Sequence, residues 1–379
     1  VTAEYEIVRY APEFREGVLR LQTHLWSPDV SVNDAYFAWK HEENPLQPAP
    51  LAWLALHDGK VVGMRSAFAT RWEAGRPPER FEALYADDFA IAPDHRNRGL
   101  VSRLMETALA DLARDGRDLL INLSAGPVTR LSSLVGGWKS VLLAEPVGRR
   151  SARAASLVRL YYTLGRLPLL AGGPARAAAR VAGMSEPFSR FDRAIARSMG
   201  RLTSTVRVER GPRAEPMAEL VARLPYDGRV RQVRDARYLA WRYRNPMRDY
   251  RFLYREGDGL DGYLVLLLAH SPRPAGRLCI ADWEARDEAT RMELLDAALA
   301  CGGFAQIVVW SATVEEPTRR LLEKRGFRPV DGGKTARGYP GLIMRSVPPG
   351  RPLAGWAIGG RRLLDRDSWD LRMIYSMHG

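Results

Sequence analysis

The run Ile91 to Leu104, IAPDHRNRGLVSRL, gathers the residue types that hold a phosphate. Arg96 and Arg98 bring guanidinium groups, which form charge-assisted hydrogen bonds to phosphate oxygens. Gly99 between them and a following helix lets the backbone approach a ligand closely. A helix that starts there presents unpaired N–H groups and a positive dipole end to an anion. Other chemistries find no such pattern. The six histidines (His24, His41, His57, His95, His270 and His378) are scattered, and Cys279 and Cys301 are the only cysteines. No cluster has metal-ligand spacing, so no metal is expected. A nucleophilic serine lacks the usual G-x-S-x-G context. His95 lies inside the loop, where it either touches phosphate or faces solvent.

The elements around the loop fit this reading. Leu84 to Ile91 alternates as a strand, Ala92 to Arg98 is a loop, and a helix follows from Gly99 to about Arg114. Leu104, Ala108, Leu109 and Leu112 form its apolar face. Strand, Arg-x-x-Gly loop and helix together make a pyrophosphate cradle on physical grounds.

The chain also repeats itself. DAYFAWKHEENP, Asp34 to Pro45, returns as DARYLAWRYRNP, Asp235 to Pro246. Each places Trp before a basic residue and then Asn-Pro: Trp39-Lys40 with Asn44-Pro45, and Trp241-Arg242 with Asn245-Pro246. Hairpin strands follow each copy, turning at His57-Asp58-Gly59-Lys60 and at Gly257-Asp258-Gly259. Then come a strand, a helix, a strand and a short helix closing on Gly plus an aromatic, Gly137-Trp138 and Gly326-Phe327. Two copies of one unit are expected, of α/β (α+β) class, each a mixed central sheet flanked by helices. The boundaries read as 1–148, a basic helical linker 149–201, a second copy 202–346 and a tail 347–379.

IAPDHRNRGLVSRL resembles the acetyl-CoA motif of the GNAT superfamily, an R/Q-x-x-G-x-G/A loop after a strand. Arg96, Gly99 and Val101 fall on the motif positions, Val101 departing from the usual Gly or Ala. The resemblance spans Glu4 to Val147 and implies acyl transfer from acetyl-CoA, or another acyl-CoA, to an amine. By it, backbone groups of Phe89, Ala90 and Ile91 pair with the pantetheine arm. Arg96, Asn97, Arg98, Gly99, Leu100, Val101 and Ser102 hold the pyrophosphate, and Asn122 faces the gap beside the thioester. Asp87 and Asp88 are the base candidates, with Tyr85 and Glu82 upstream. Alternation turns one Asp to the cleft and the other away, unless a bulge intervenes. The family often has Tyr where this chain has Ser133, so Tyr85 or a water is left to protonate the leaving thiolate. Ser124 and Ser132 are nearby in sequence. The tandem arrangement resembles bacterial GNAT proteins of polysaccharide and amino-sugar modification, which implies an amino-sugar or lipid-linked acceptor. The alternative is a non-catalytic acyl-CoA-binding or scaffolding protein.

The second copy has no such loop: LCIADWEA leads straight into RDEATRMELLDAALACGG. It is expected to shape the acceptor site or a domain interface without binding a second coenzyme A. Its Asp282 and Glu284 either meet an amine or are solvated.

Composition bounds the rest. The 379 residues are 46% apolar, enough for two folded domains. The net charge of +13 rests on 52 arginines against five lysines. Segment 149–201 alone has eleven arginines and two acids, Glu186 and Asp192. It reads either as a solvated helical linker or as peripheral contact with an anionic membrane. Nucleic acid is not an expected partner, because no recognition motif accompanies the charge. No apolar run spans a bilayer and no apolar leader is present, so a cytoplasmic location is expected, with the inner membrane face as an alternative.

Overall fold

The computed structural model describes residues 5–150, 205–268, 277–301, 304, 306–330, 341–347 and 355–377. Of the basic segment 149–201, all but Arg149 and Arg150 lies outside the described residues. In chain order the first half runs β1 (Glu6–Arg9), α1 (Arg15–Gln22), α2 (Val30–Phe37), β2 (Leu51–His57), β3 (Lys60–Ala74) and β4 (Glu79–Ile91). It continues through α3 (Leu100–Arg114), β5 (Leu119–Asn122), α4 (Pro127–Val135), β6 (Lys139–Leu143) and β7 (Pro146–Arg150). The second half runs β8 (Val206–Glu209), α5 (Ala214–Arg223), β9 (Arg231–Gln232), α6 (Ala236–Arg242), β10 (Tyr250–Glu256), β11 (Leu260–Leu268) and β12 (Arg277–Ala285). After these come α7 (Glu288–Cys301), β13 (Gln306–Trp310), α8 (Glu316–Lys324), β14 (Arg328–Pro329) and β15 (Gly341–Ser346). The tail adds a small hairpin, Ala357–Ile358 with Arg361–Arg362.

The chain forms two units. One is Val1–Leu143, Tyr226–Met247 and Pro340–Asp370; the other is Ala144–Pro225, Arg248–Tyr339 and Leu371–Gly379. Among the described residues the first unit's sheet has the order β1-β2-β3-β4-β5-β15-β6, with β9 on β3. The second has β14-β7-β13-β12-β11-β10-β8. Strand β15 therefore closes the first sheet between β5 and β6. Strand β7 lies in the second sheet between β13 and β14.

Local sequence explains the first sheet. Asp58 and Gly59 take φ of 50° and 70°, the left-handed pair that a tight hairpin needs, and join β2 to β3. On one face Leu100, Leu104, Ala108 and Leu112 of α3 pack on Trp53, Ala55, Leu84, Ala86 and Leu120. Each Leu so buried contributes roughly 1.5–3 kcal/mol. The other face packs Val18, Leu19 and Leu21 of α1 and Phe37 of α2 on Leu54, Leu56, Met64 and Ala90.

The repeated segments meet within the first unit. Trp39 and Trp241 stack with ring centroids 5.1 Å apart and planes 11° apart. Each indole N–H donates to the other's backbone carbonyl, at 2.8 Å from Trp39 and 2.7 Å from Trp241. The Trp of the motif is thus matched by its own copy.

Candidate active site

Strands β4 and β5 run parallel but pair only at Leu84↔Leu120 and Tyr85↔Ile121. Beyond Tyr85, β4 has no strand partner on that edge among the described residues. Asn122 ends β5, and its side-chain amide donates to the Ala86 carbonyl at 2.7 Å. Its amide oxygen accepts from the backbone N–H of Ser124 and Ala125, both at 2.7 Å. One side chain so finishes both strands and holds them apart. The Tyr85 hydroxyl lies at the same place: it accepts from the Leu123 N–H at 3.0 Å and pairs with the Ser124 hydroxyl at 2.5 Å. On the side away from β3, Phe89, Ala90 and Ile91 have no strand partner among the described residues and form an edge onto which an extended polar chain can hydrogen-bond.

The α3 N-terminus adjoins that edge. Gly99 is its N-cap, left-handed at φ 72°, and no side chain caps the helix. A Cβ at Gly99 would meet nothing within 4 Å, so the space above it is open. Phe89, Ala90 and Ile91, together with His95 through Val101, line one cleft of about 380 Å³. Asn97 is also left-handed, at φ 61°. Arg96 donates to the Ile91 carbonyl at 3.3 Å and Arg98 to the Asp94 carbonyl at 3.1 Å, leaving further guanidinium N–H groups on two exposed side chains. His95 is engaged by Tyr5, whose hydroxyl lies 3.0 Å from Nδ1. The loop, the uncapped helix and the open edge fit a pyrophosphate with an extended arm. Larger hollows of about 640 and 670 Å³ exist in this unit, lined in part by Glu79 and Trp356 and by Glu42 and Arg237. Neither has an uncapped helix end or a splayed edge.

The two aspartates do not alternate. Arg65 pairs with Phe89 and Ser66 with Asp87, so Asp88 is an extra residue, with φ 37°. This bulge brings both carboxylates to one cation: Lys40 Nζ lies 2.9 Å from Asp87 Oδ2 and 2.6 Å from Asp88 Oδ1. Lys40 comes from a π-helical turn, Ala38–Glu42, after α2. The widened turn buries three consecutive residues, Trp39, Lys40 and His41. Asp88 also accepts from Trp26 Nε1 at 2.6 Å and from the Ser66 hydroxyl at 3.1 Å, with His41 Nε2 at 3.1 Å. Burial alone would raise Asp88, but Lys40 and His41 hold it well below the usual carboxylate range. Burial raises Asp87 above its ordinary value, and Lys40 only partly opposes this. Burial would lower Lys40, but the two carboxylates keep it above its ordinary value. Burial keeps His41 below its ordinary value, hence neutral.

Sequence reasoning missed Lys40, His41 and Trp26 as partners of the acids. One signal was available: Lys40 holds the basic position of the repeated motif. Glu82 is exposed and bonded to Arg117, far down β4 from the cleft. Ser133 is half-buried on α4, its carbonyl accepting from the Trp138 N–H at 3.1 Å.

In the second unit, Asp282 and Glu284 are not solvated. Asp282 accepts from Tyr263 at 2.7 Å and Arg372 at 3.0 Å, and Glu284 pairs with Arg372 at 2.8 Å. The Asp287 carboxylate accepts from the Thr290 N–H at 2.8 Å and so caps α7. Among the described residues no group of His, Cys, Asp and Glu has the geometry of a metal site. No helix there is long and apolar enough to cross a membrane.

Comparison with known proteins places the chain in a family. A profile of the acetyltransferase (GNAT) family matches residues 18–125. A profile of the acetyltransferase (GNAT) domain matches residues 228–337. Together they cover more than half of the chain, and they define an acyl-CoA-dependent N-acyltransferase, which moves an acyl group from acyl-CoA to an amine. The chain belongs to the GNAT acetyltransferases and carries two GNAT domains in tandem. Solved structures share the fold at low identity. A GCN5-related N-acetyltransferase from Anabaena variabilis has a TM-score of 0.57 at 12% identity, over 91% of this chain and 73% of that one. A probable N-acyltransferase from Enterococcus faecalis has 0.55 at 12%, over 91% and 73%. A GCN5-related N-acetyltransferase from Kribbella flavida has 0.53 at 14%, over 91% and 72%. No curated protein matches the sequence.

Proposed function

We propose that the first copy binds acetyl-CoA along the open edge of β4 and that Asp87 is the base for the incoming amine. Phe89, Ala90, Ile91 and Asn122 would hold the pantetheine arm, and the loop Arg96 to Ser102 the pyrophosphate. The observation that carries this is the unequal treatment of two adjacent acids. Asp88 is saturated by four side-chain donors and its side chain is fully buried. Asp87 is tied to one lysine and keeps 8% of its side chain exposed. An anchored Asp88 fixes Lys40, and Lys40 fixes Asp87. Burial pushes the Asp87 carboxyl up, toward the strength a base needs.

The chemistry then reads simply. As the amine nitrogen bonds to the acyl carbon, Asp87 takes the amine proton and the C–S bond breaks. An amino sugar is the first acceptor class to try, following the likeness of the tandem sequence to amino-sugar enzymes. A lipid-linked acceptor would suit the basic segment 149–201. The second copy, with its acids locked and its helix capped, would bind no coenzyme A.

Thiol release from acetyl-CoA over an amine panel tests this. Asp87→Asn is expected to lower kcat by roughly a hundredfold or more while coenzyme A still binds. Because Asp87 must be ionised, kcat/KM should fall as pH drops toward its raised value, and this acid limb should vanish in the variant. Ser133, in place of a stronger acid, favours the second reading of a non-catalytic acyl-CoA binder. Tight binding with no thiol release from any amine would establish that reading and end the enzymatic one.

A further inference from the structure

Arg65 is a buried cation of the first sheet. It stands on β3 opposite Phe89 and is only 9% exposed. No hydrogen bond or ion pair to it is found among the described residues, and its guanidinium carbon lies 5.6 Å from the Phe89 ring centre. Burial holds it down to about 10, with Asp87 and Asp88 opposing and Arg345 adding to the effect. Arg345 stands on β15 opposite Leu120, and its Nη1 donates to the Gly136 carbonyl at the end of α4. Burial lowers Arg345 as well.

Register fixes where these cations lie. Residues paired across neighbouring strands share a face. Phe89 and Leu120 both pack with the α3 side of the sheet, so Arg65 and Arg345 rise on that side. They flank the place where β4 and β5 part. Between them on that face are the small side chains of Ala67 and Ala86, with the Asn122 amide at the gap. Two cations stand beside one gap, and Arg65, nine-tenths buried, has only the Phe89 ring and the through-space pull of Asp87 and Asp88 to offset its charge, so an added anion would be favoured there.

We propose that Arg65 and Arg345 form an anion subsite at the splay, which receives the thiolate of coenzyme A as it departs. This rests on the reading of the splay as the acyl-CoA cleft. In the transfer, the N–C bond forms, the C–S bond breaks and its electron pair stays on sulfur. The amine proton goes to Asp87. The thiolate is then held as an anion opposite the guanidinium groups and takes its proton later from solvent. No acid is needed at Ser133, which accounts for a hydroxyl too weak for that task.

The test is the ultraviolet absorbance of the thiolate of free coenzyme A bound to the full chain, followed against pH. Bound coenzyme A is expected to show about tenfold more thiolate at neutral pH than coenzyme A in solution. Arg65→Gln should remove that gain, Arg65→Lys should retain most of it, and Arg345→Gln should reduce it. Calorimetry on the same samples separates the two claims. If coenzyme A does not bind, the cleft reading fails and the subsite falls with it. If coenzyme A binds but titrates as in solution, or titrates alike in wild type and Arg65→Gln, the subsite is overturned while the cleft stands. Preference for succinyl-CoA over acetyl-CoA that disappears in Arg65→Gln would put a carboxylate there and overturn the thiolate assignment.

Discussion

The N-termini of α3 and α7 are the same turn of the same fold, finished in opposite ways. At α3 the cap is a left-handed glycine, no side chain closes the helix, and Arg96 and Arg98 flank it. At α7 the protein supplies its own anion: Asp287 accepts the Thr290 N–H, which with the Thr290 side chain pulls its carboxyl down to about 2. The strands leading into these turns, by contrast, each carry a pair of buried acids on one cation. Strand β4 carries Asp87 and Asp88, both tied to Lys40. Strand β12 carries Asp282 and Glu284, both tied to Arg372. A duplicated fold keeps its architecture, and a few residues decide which copy has an open site.

The largest test of this comparison is Lys40→Met. It strands two buried carboxylates and should cost about 3–5 kcal/mol of stability, read as a fall in Tm. Arg372→Met should act in the same direction on the second unit and leave coenzyme A affinity unchanged. If Arg372→Met weakened that affinity, the acids of the second copy would have a functional role.

A smaller effect separates the two helix ends. Asp287→Ala removes a cap and should cost about 1 kcal/mol in urea unfolding. It should create no second coenzyme A site, because no Arg-x-x-Gly loop precedes α7.

The smallest effect is in pH. His41 is buried with its value below the ordinary 6.5. The unfolded chain therefore takes up a proton that the folded chain refuses, and this lowers stability as pH falls below 6.5. His41→Gln should flatten the decline in urea midpoint between about pH 6.5 and pH 5. An unchanged slope would mean that His41 is protonated in place.

Much of this was legible in the sequence. The turn from Arg96 to Ser102 was, because its glycine, arginines and helix start lie within a few residues of one another. The duplication was legible because Trp, base and Asn-Pro recur together. The arrangement of the two aspartates was not. Alternation on a regular strand sends Asp87 and Asp88 to opposite faces, and only the bulge at Asp88 brings both to Lys40. Nor does spacing place Lys40 and His41 on one target, since neighbouring residues on an α-helix diverge and the π turn is what gathers them. Strand β15 pairs with β5 although more than 200 residues separate them, and pairing at that distance leaves no local mark.

The central claim is that one copy alone holds coenzyme A, at Gly99. Calorimetric titration tests it most directly. The wild-type chain should bind one coenzyme A. Gly99→Glu should weaken binding by about a hundredfold or more, since a carboxylate there occupies the anion's place at the helix end. The fold should persist: the added Cβ has open space, and the left-handed backbone costs only about 1–2 kcal/mol. Two bound molecules per chain, or undiminished binding in Gly99→Glu, would contradict the account.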